Sequence, residues 1–438
     1  MIDIESLDGE GRGVAHVEGK AVFVEGALPG ERVAIETLKR KPTYDVARTA
    51  AIGRAAADRT TPRCPHFGMC GGCSLQHASP ALQVAAKQRV LEEALKRIGR
   101  VTPDCLLPAV HGPTWQYRHR ARFSVRDVPR KGGVLVGFHE RRSSYVADMR
   151  ECHVVPGKIS NLLPELRSLV ASLSIARRIP QIELAIGERP RSDDPVVVLV
   201  FRVLETPTMD DRSTLRAFAQ AHRVDVWLQP GGPATAAPLH PADSTLGYSL
   251  PEFDVFIAFG PTDFTQVNPA MNRALVRRAM MLLNPSAGER IADFFCGLGN
   301  FTLPIARFGA HVVGVEGVAG LVDSARRNAA AHDLEANTRF VVANLFGVTR
   351  EALKAWLPLD KAVIDPPREG AIELVRSLPA ADEPSALEHL VYVSCNAATL
   401  ARDAGVLVHD RGYRLEAAGV FNMFPHTAHV ESIARFVR

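Results

Sequence analysis

Two cysteine contexts in this 438-residue chain could carry chemistry. The first is Cys395, in Ser394-Cys395-Asn396, directly after the apolar run Leu390 to Val393. A thiolate at a strand end can add to an electron-poor carbon, and such a reaction needs a base to complete it. Glu431, in Pro425-His426-Thr427-Ala428-His429-Val430-Glu431, is the candidate base. A lone cysteine is more often a packed core residue. The strand-end position and the motifs around it favour a nucleophile here. The second context is Cys64-x5-Cys70-x2-Cys73, for which Cys152 is the natural fourth thiolate. Four thiolates suit either zinc or an iron–sulfur cluster, and spacing does not choose between them. Cys105 reads as structural and Cys296 as packing. Seven cysteines, an odd number, argue against a disulfide framework.

A ligand turn accompanies the thiol. Asp293-Phe294-Phe295-Cys296-Gly297-Leu298-Gly299-Asn300 stands where a strand would pass into a helix. Open α/β sheets bind their ligands at such places. Glu316 ends the next apolar run, where an acid can hold both hydroxyls of a ribose. A dinucleotide-dependent dehydrogenase is the competing reading, but Thr302 stands where its third glycine belongs. S-adenosylmethionine has no pyrophosphate to cradle. Asp365-Pro366-Pro367-Arg368 follows the apolar run Ala362 to Ile364 and should face the same crevice as Cys395.

Such residues need parallel strands that end on one edge. Over residues 261–438 the runs Ile291 to Phe295, Val312 to Val315, Phe340 to Val342, Ala362 to Ile364 and Leu390 to Val393 alternate with helical stretches. One of these, Pro269 to Leu283, has Asn268 as N-cap. The pattern predicts a doubly wound α/β sheet. Residues 1–55, short strands broken by Gly and Pro, predict a small β-barrel. Residues 56–100 hold the cysteine knuckle and a helix that opens at Ser79-Pro80 and stops at Gly99. Val84, Leu91, Leu95 and Ile98 form its apolar face. Residues 101–260 read as a β-rich domain, with Val196 to Val203 as a buried strand.

Net charge is only +4, but between His111 and Arg142 eight Lys/Arg face two acids. Arg118, Arg120, Arg122 and Arg126 fall on one side of a strand and Ala121, Phe123 and Val125 on the other. A basic stripe with Tyr117, Phe123, Phe138 and His139 nearby fits RNA, whose phosphates and unstacked bases it could hold. The absence of a long apolar run predicts no membrane span, and the acidic N-terminus no secretory signal. The chain is expected to be cytoplasmic and monomeric, without membrane or DNA partners.

These motifs, together with Asp263-Phe264-Thr265-Gln266-Val267-Asn268, resemble those of the RNA uracil-C5 methyltransferases over nearly the whole chain. The resemblance implies a Rossmann-like class I methyltransferase domain that takes S-adenosylmethionine as methyl donor. It implies donor contacts from Gln266, Phe295, Asn300, Glu316, Asn344 and Asp365, with Cys395 as nucleophile and Glu431 as base. Asn344 departs from the acid that related enzymes often carry there. Residues 1–55 resemble the OB-like TRAM barrel. In the ribosomal RNA branch, cysteines matching Cys64, Cys70, Cys73 and Cys152 carry a [4Fe–4S] cluster. The implied substrate is a uridine of 23S ribosomal RNA, taken out of its stack. Two other readings stand beside it: a transfer-RNA uracil-C5 methyltransferase, and a non-catalytic RNA-binding iron–sulfur protein. The combination of Cys395, Glu431 and the glycine turn argues against the latter.

Overall fold

The computed structural model describes residues 1–190, 192–241 and 246–438; of 192–194 it describes the backbone alone. The apolar runs of the C-terminal half assemble into one eight-stranded sheet. Its order is Thr338–Val342, His311–Glu316, Arg290–Phe294, Lys361–Ile364, His389–Ser394, Glu431–Val437, Arg414–Phe421 and Cys105–Leu106. The first five strands are parallel, and Glu431–Val437 runs antiparallel to His389–Ser394. From Arg290–Phe294 the chain first builds outward on one side, then returns to build on the other. The ends of Arg290–Phe294 and Lys361–Ile364 therefore flank the switch point where such sheets bind ligands. The closing antiparallel pair and the edge strand Cys105–Leu106 do not emerge from the sequence pattern.

The helix Pro80–Ala94 starts as expected, with the Ser79 side chain accepting from the Leu82 N–H at 3.1 Å. It continues through a π-turn at Leu95–Gly99. Its buried face differs from the apolar one expected. Leu91 and Leu95 are buried, but Ile98 is 51% exposed, and Gln83 and Lys87 are almost wholly buried. These two polar side chains have hydrogen-bond partners inside, which makes their burial tolerable. Leu91, Ala94, Leu95 and Val101 join Phe294, Tyr392 and Leu400 in one core, so the helix belongs to the catalytic body.

The central region holds a second eight-stranded sheet in which Ser192–Arg202, Gln181–Arg189 and Arg120–Val128 lie side by side. It is not strands alone: the helices Gly157–Ser172 and Met209–His222 cover one face. Along Ser192–Arg202, Val197, Leu199 and Phe201 pack under those helices, while Val196, Val198 and Val200 pack towards the C-terminal body. Burial on both faces explains the unbroken apolar run. The N-terminal six-stranded sheet closes over a small core that includes Ile4, Val22, Val24 and Val33. Arg59 of the knuckle reaches it through a 2.7 Å contact with the buried Glu31.

Candidate active site

The chain turns sharply after Arg290–Phe294. Phe295 and Gly297 take positive φ, +64° and +53°, a conformation that glycine adopts freely. The N–H groups of Phe295 and Cys296 both donate to the Val315 carbonyl, at 2.8 and 3.1 Å. One Glu316 oxygen accepts from the Gly297 N–H at 3.2 Å and the other from Val318 at 3.0 Å. The acid is thereby fixed at the mouth of the turn.

Asp293 is a site residue that sequence reasoning passed over. It is fully buried and accepts from the Thr302 hydroxyl at 2.5 Å, while Oδ1 has no partner among the described residues. Burial pushes its carboxyl up to about 7. The signal was an acid inside an otherwise apolar strand. Thr302, which marked the missing third glycine, is the donor that braces it. Cys296 is buried, as expected of a packing residue, and Cys105 is exposed.

Asn300 is largely committed to protein partners. Its amide exchanges hydrogen bonds with Asn272 at 3.0 and 3.1 Å, and its Oδ1 also accepts from the Tyr248 hydroxyl at 2.9 Å. One amide N–H remains for a ligand. Asn344 is exposed at the end of its strand, with Oδ1 accepting from the Phe346 N–H at 3.0 Å. The rings of Phe295 and Phe346 lie 5.6 Å apart at the same edge. Gln266 is half-buried, on the segment into which Arg120 donates at the Pro261 and Asp263 carbonyls (2.8 and 2.6 Å).

Asp365 leaves the neighbouring strand, its N–H donating to the Phe294 carbonyl at 3.2 Å. Burial raises its carboxyl to about 7. The loop beyond is braced by the buried Asp403, which accepts from the Ala371 N–H and the Tyr392 hydroxyl at 2.8 and 2.6 Å. Gly370 has φ +78°, and a Cβ there would lie 2.6 Å from the Arg402 guanidinium.

Cys395 and Glu431 meet through strand register. Ser394 pairs with Ser432, and the Ser432 hydroxyl donates to the Ser394 carbonyl at 3.0 Å. The residues next outward from that pair are Cys395 and Glu431. Glu431 is buried, and burial together with Asp365 lifts its carboxyl well above the usual range. Burial, then Glu431 and Asp365, push the Cys395 thiol up to about 11, with Arg368 opposing. The thiol opens on a groove of about 510 Å³ that Arg368 and His429 also line. Its far walls are the turn at Leu7–Gly9 and the helix side chains Arg89 and Arg97.

The four expected cysteine ligands come together. Cys64, Cys70, Cys73 and Cys152 are free thiols that line one small cavity. Burial raises Cys70 to about 11 and Cys73 to about 12, and lifts Cys64 and Cys152 as well. Among the described residues no three His, Cys, Asp or Glu side chains converge to hold a single metal ion. The basic stripe is only half a surface. Arg122 and Arg126 are exposed, but Arg120 is turned into the protein, and Arg118 donates to the Arg120 carbonyl and lies over the Phe138 ring.

A parallel sheet with a glycine turn, an acid and a thiol along one edge fits the Rossmann-type methyltransferase class. The chain belongs to the family described as tRNA (Uracil-5-)-methyltransferase, which matches residues 81–436; a TRAM domain matches residues 1–47. It is 59% identical over 436 residues to the protein of Aromatoleum aromaticum named 23S rRNA (uracil(1939)-C(5))-methyltransferase RlmD, covering 99% of each chain. The protein of the same name from Nitrosospira multiformis is 58% identical over 436 residues, covering 99% of this chain and 97% of the relative. Among solved structures, the fold resembles that of the Pyrococcus abyssi tRNA (uracil-54, C5)-methyltransferase in complex with S-adenosyl-L-homocysteine. The TM-score is 0.73 at 23% identity, over 99% of each chain.

Proposed function

We propose that this chain methylates carbon 5 of a uridine in 23S ribosomal RNA, with S-adenosylmethionine as methyl donor and Cys395 as covalent nucleophile. The substrate follows from the shared name of relatives that match the chain end to end. The observation that carries the chemistry is the common strand edge of Cys395 and Glu431, held by Ser394 and Ser432.

Uracil C5 is a poor nucleophile until a thiolate adds to C6. Bond formation from Cys395 sulfur to C6 moves the ring electrons onto O4 as an enolate. S-adenosylmethionine supplies an electrophilic methyl group on its sulfonium. C5 takes that methyl as its bond to sulfur breaks and S-adenosylhomocysteine leaves, and Glu431 then removes the C5 proton. The C5–C6 double bond then reforms and the Cys395 thiolate leaves. A carboxyl whose proton affinity is raised by burial suits this base, since it holds the proton it takes. Glu316, Asp365, Gln266, Phe295, Asn300 and Asn344 are assigned to the donor site. Glu316 would hold the ribose hydroxyls, and the ionised form of Asp365 would favour a positively charged group of the donor.

Cys64, Cys70, Cys73 and Cys152 are proposed to hold a [4Fe–4S] cluster, which supplies the positive charge that four buried thiolates need. Four thiolates around one cavity are a donor set that such a cluster takes. The N-terminal sheet is proposed to act as a TRAM-type RNA-binding barrel. No helix among the described residues is long and apolar enough to cross a membrane.

The test is anaerobic incubation of the holoprotein with labelled S-adenosylmethionine and unmodified transcripts of 23S ribosomal RNA and of transfer RNA. 5-Methyluridine in the ribosomal transcript alone is expected. Label confined to transfer RNA overturns the substrate but keeps the chemistry; label in neither removes the proposal for free RNA.

A further inference from the structure

The segment between the last two strands, Asn422–Val430, ends at Glu431 and carries His429 into the groove beside Cys395. Beside local bonds from Thr427 to the Phe424 carbonyl and one from Asn268 to the Met423 carbonyl, its backbone is held by elements from the N-terminal half of the chain. The His426 carbonyl accepts from the N–H groups of both Ser74 and Leu75, each at 2.9 Å. These residues directly follow Cys73. The His426 N–H donates to Gln83 Oε1 at 2.7 Å, and Gln83 Nε2 donates to the Leu75 and Ala78 carbonyls at 3.0 and 2.9 Å. Trp115 stacks on the His426 ring at 3.9 Å, and the Tyr117 hydroxyl donates to the Pro425 carbonyl at 3.0 Å. Lys87 donates to the Phe424 carbonyl at 2.8 Å and to Asn422 at 2.7 Å. His426 itself takes φ +64°, a conformation disfavoured without such restraint.

We infer that the cysteine knuckle is the positioning device for the catalytic loop, with Gln83 as its joint to His426. The knuckle sets where His429 and Glu431 sit relative to Cys395. Ordering of the four thiols is thereby transmitted to the proton-removal step rather than to donor binding. The inference rests on the reading of Cys395 and Glu431 as the catalytic pair. Gln83 is a positioning residue: it touches the loop and does not reach the groove. It also explains why a helix otherwise packed by leucines buries a glutamine and a lysine, since each satisfies carbonyls that a leucine would leave bare.

The test compares wild-type holoenzyme with Gln83→Met, which keeps side-chain length and loses the hydrogen bonds. The variant is expected to keep wild-type metal content, S-adenosylmethionine affinity and kcat/KM for RNA, with KM falling alongside kcat. Its kcat should fall about tenfold or more, because misplacing a reacting group by about 1 Å costs on the order of 10²-fold. The covalent Cys395–RNA adduct should build up, and the amides of residues 422–430 should exchange faster. Wild-type kcat with unchanged exchange overturns the inference. So does a loss of kcat matched by an equal loss of donor binding, the mark of general unfolding. In a second arm the knuckle metal is stripped anaerobically from the wild type by a chelator. Exchange should rise at 422–430 and stay constant at the turn 293–300; unchanged exchange at 422–430 overturns the inference. Inactive wild type with both exchange results as expected would instead remove the proposed function and leave the joint in place.

Discussion

The Ser432 hydroxyl donates to the carbonyl of Ser394 across 3.0 Å, and this cross-strand contact sets Cys395 and Glu431 side by side. The nucleophile follows a parallel strand and the base begins an antiparallel one, so the two meet at the edge between them. Glu431→Gln keeps this geometry and removes the base. Methyl transfer to C5 should still occur, but elimination should not, so turnover should fall by about 10²-fold or more. A protein–RNA adduct should appear as a shifted band on a denaturing gel. Turnover at the wild-type rate would assign the base elsewhere.

The raised Cys395 thiol predicts an alkaline profile. Thiolate is the reactive form, and the free-enzyme value lies near 11. The kcat/KM measured at low RNA should therefore keep climbing above about pH 8.5, where an ordinary cysteine would level off. A plateau below that pH would mean that the groove lowers the thiol, through Arg368 or bound RNA.

Asp365 predicts a trade between stability and function. Its carboxyl is held near 7 in the folded chain, above its unfolded value. The folded state then binds more protons between those two values, so the group's contribution to stability is lost as pH rises from about 4 to about 7. Asp365→Asn removes that loss. Its melting temperature should exceed wild type above pH 7 and match it near pH 4. S-adenosylmethionine affinity should fall in the variant, and in the wild type it should strengthen as pH rises through 7. A pH-independent difference in melting would deny the carboxylate this role.

The two halves of the arginine stripe should separate in salt titrations. Arg122→Ala and Arg126→Ala, both at exposed positions, should each lower the salt slope of RNA binding by about 1. Arg120→Ala should instead cost stability, about 1.5–3 kcal/mol for charge-assisted bonds to two carbonyls, with the slope unchanged. An equal slope change in all three would mean that Arg120 swings out to the RNA.

Much of the site was legible because chemistry concentrates unusual residues at strand ends. The glycine turn, Glu316, Asp365 and Cys395 all follow apolar runs that the structure forms within a residue or two. The cysteine set was legible for the same reason, since thiols have few other reasons to cluster. What stayed hidden depends on long-range contacts. Gln83 and Lys87 look like a helix's wet face until the His426 N–H is placed over the one and the Phe424 carbonyl over the other. Arg120 alternates perfectly with Phe123, yet alternation says which side of a strand a residue takes, not whether that side is covered. The helices Gly157–Ser172 and Met209–His222 lie in a region whose apolar runs are dominated by strands. Asp293 opens the turn motif in the sequence, but its burial and its bond to Thr302 emerge only from the structure.

The central claim is that methyl transfer passes through a bond from Cys395 to the RNA. A 23S transcript carrying 5-fluorouridine tests it directly, because the C5 fluorine cannot be removed as a proton and elimination is blocked. Mass spectrometry of the protein after incubation with S-adenosylmethionine should find one methylated fluorouridine adduct on the peptide containing Cys395, and none on Cys395→Ala. Methylated product without an adduct, or an adduct on Cys296 or another residue, would contradict the account.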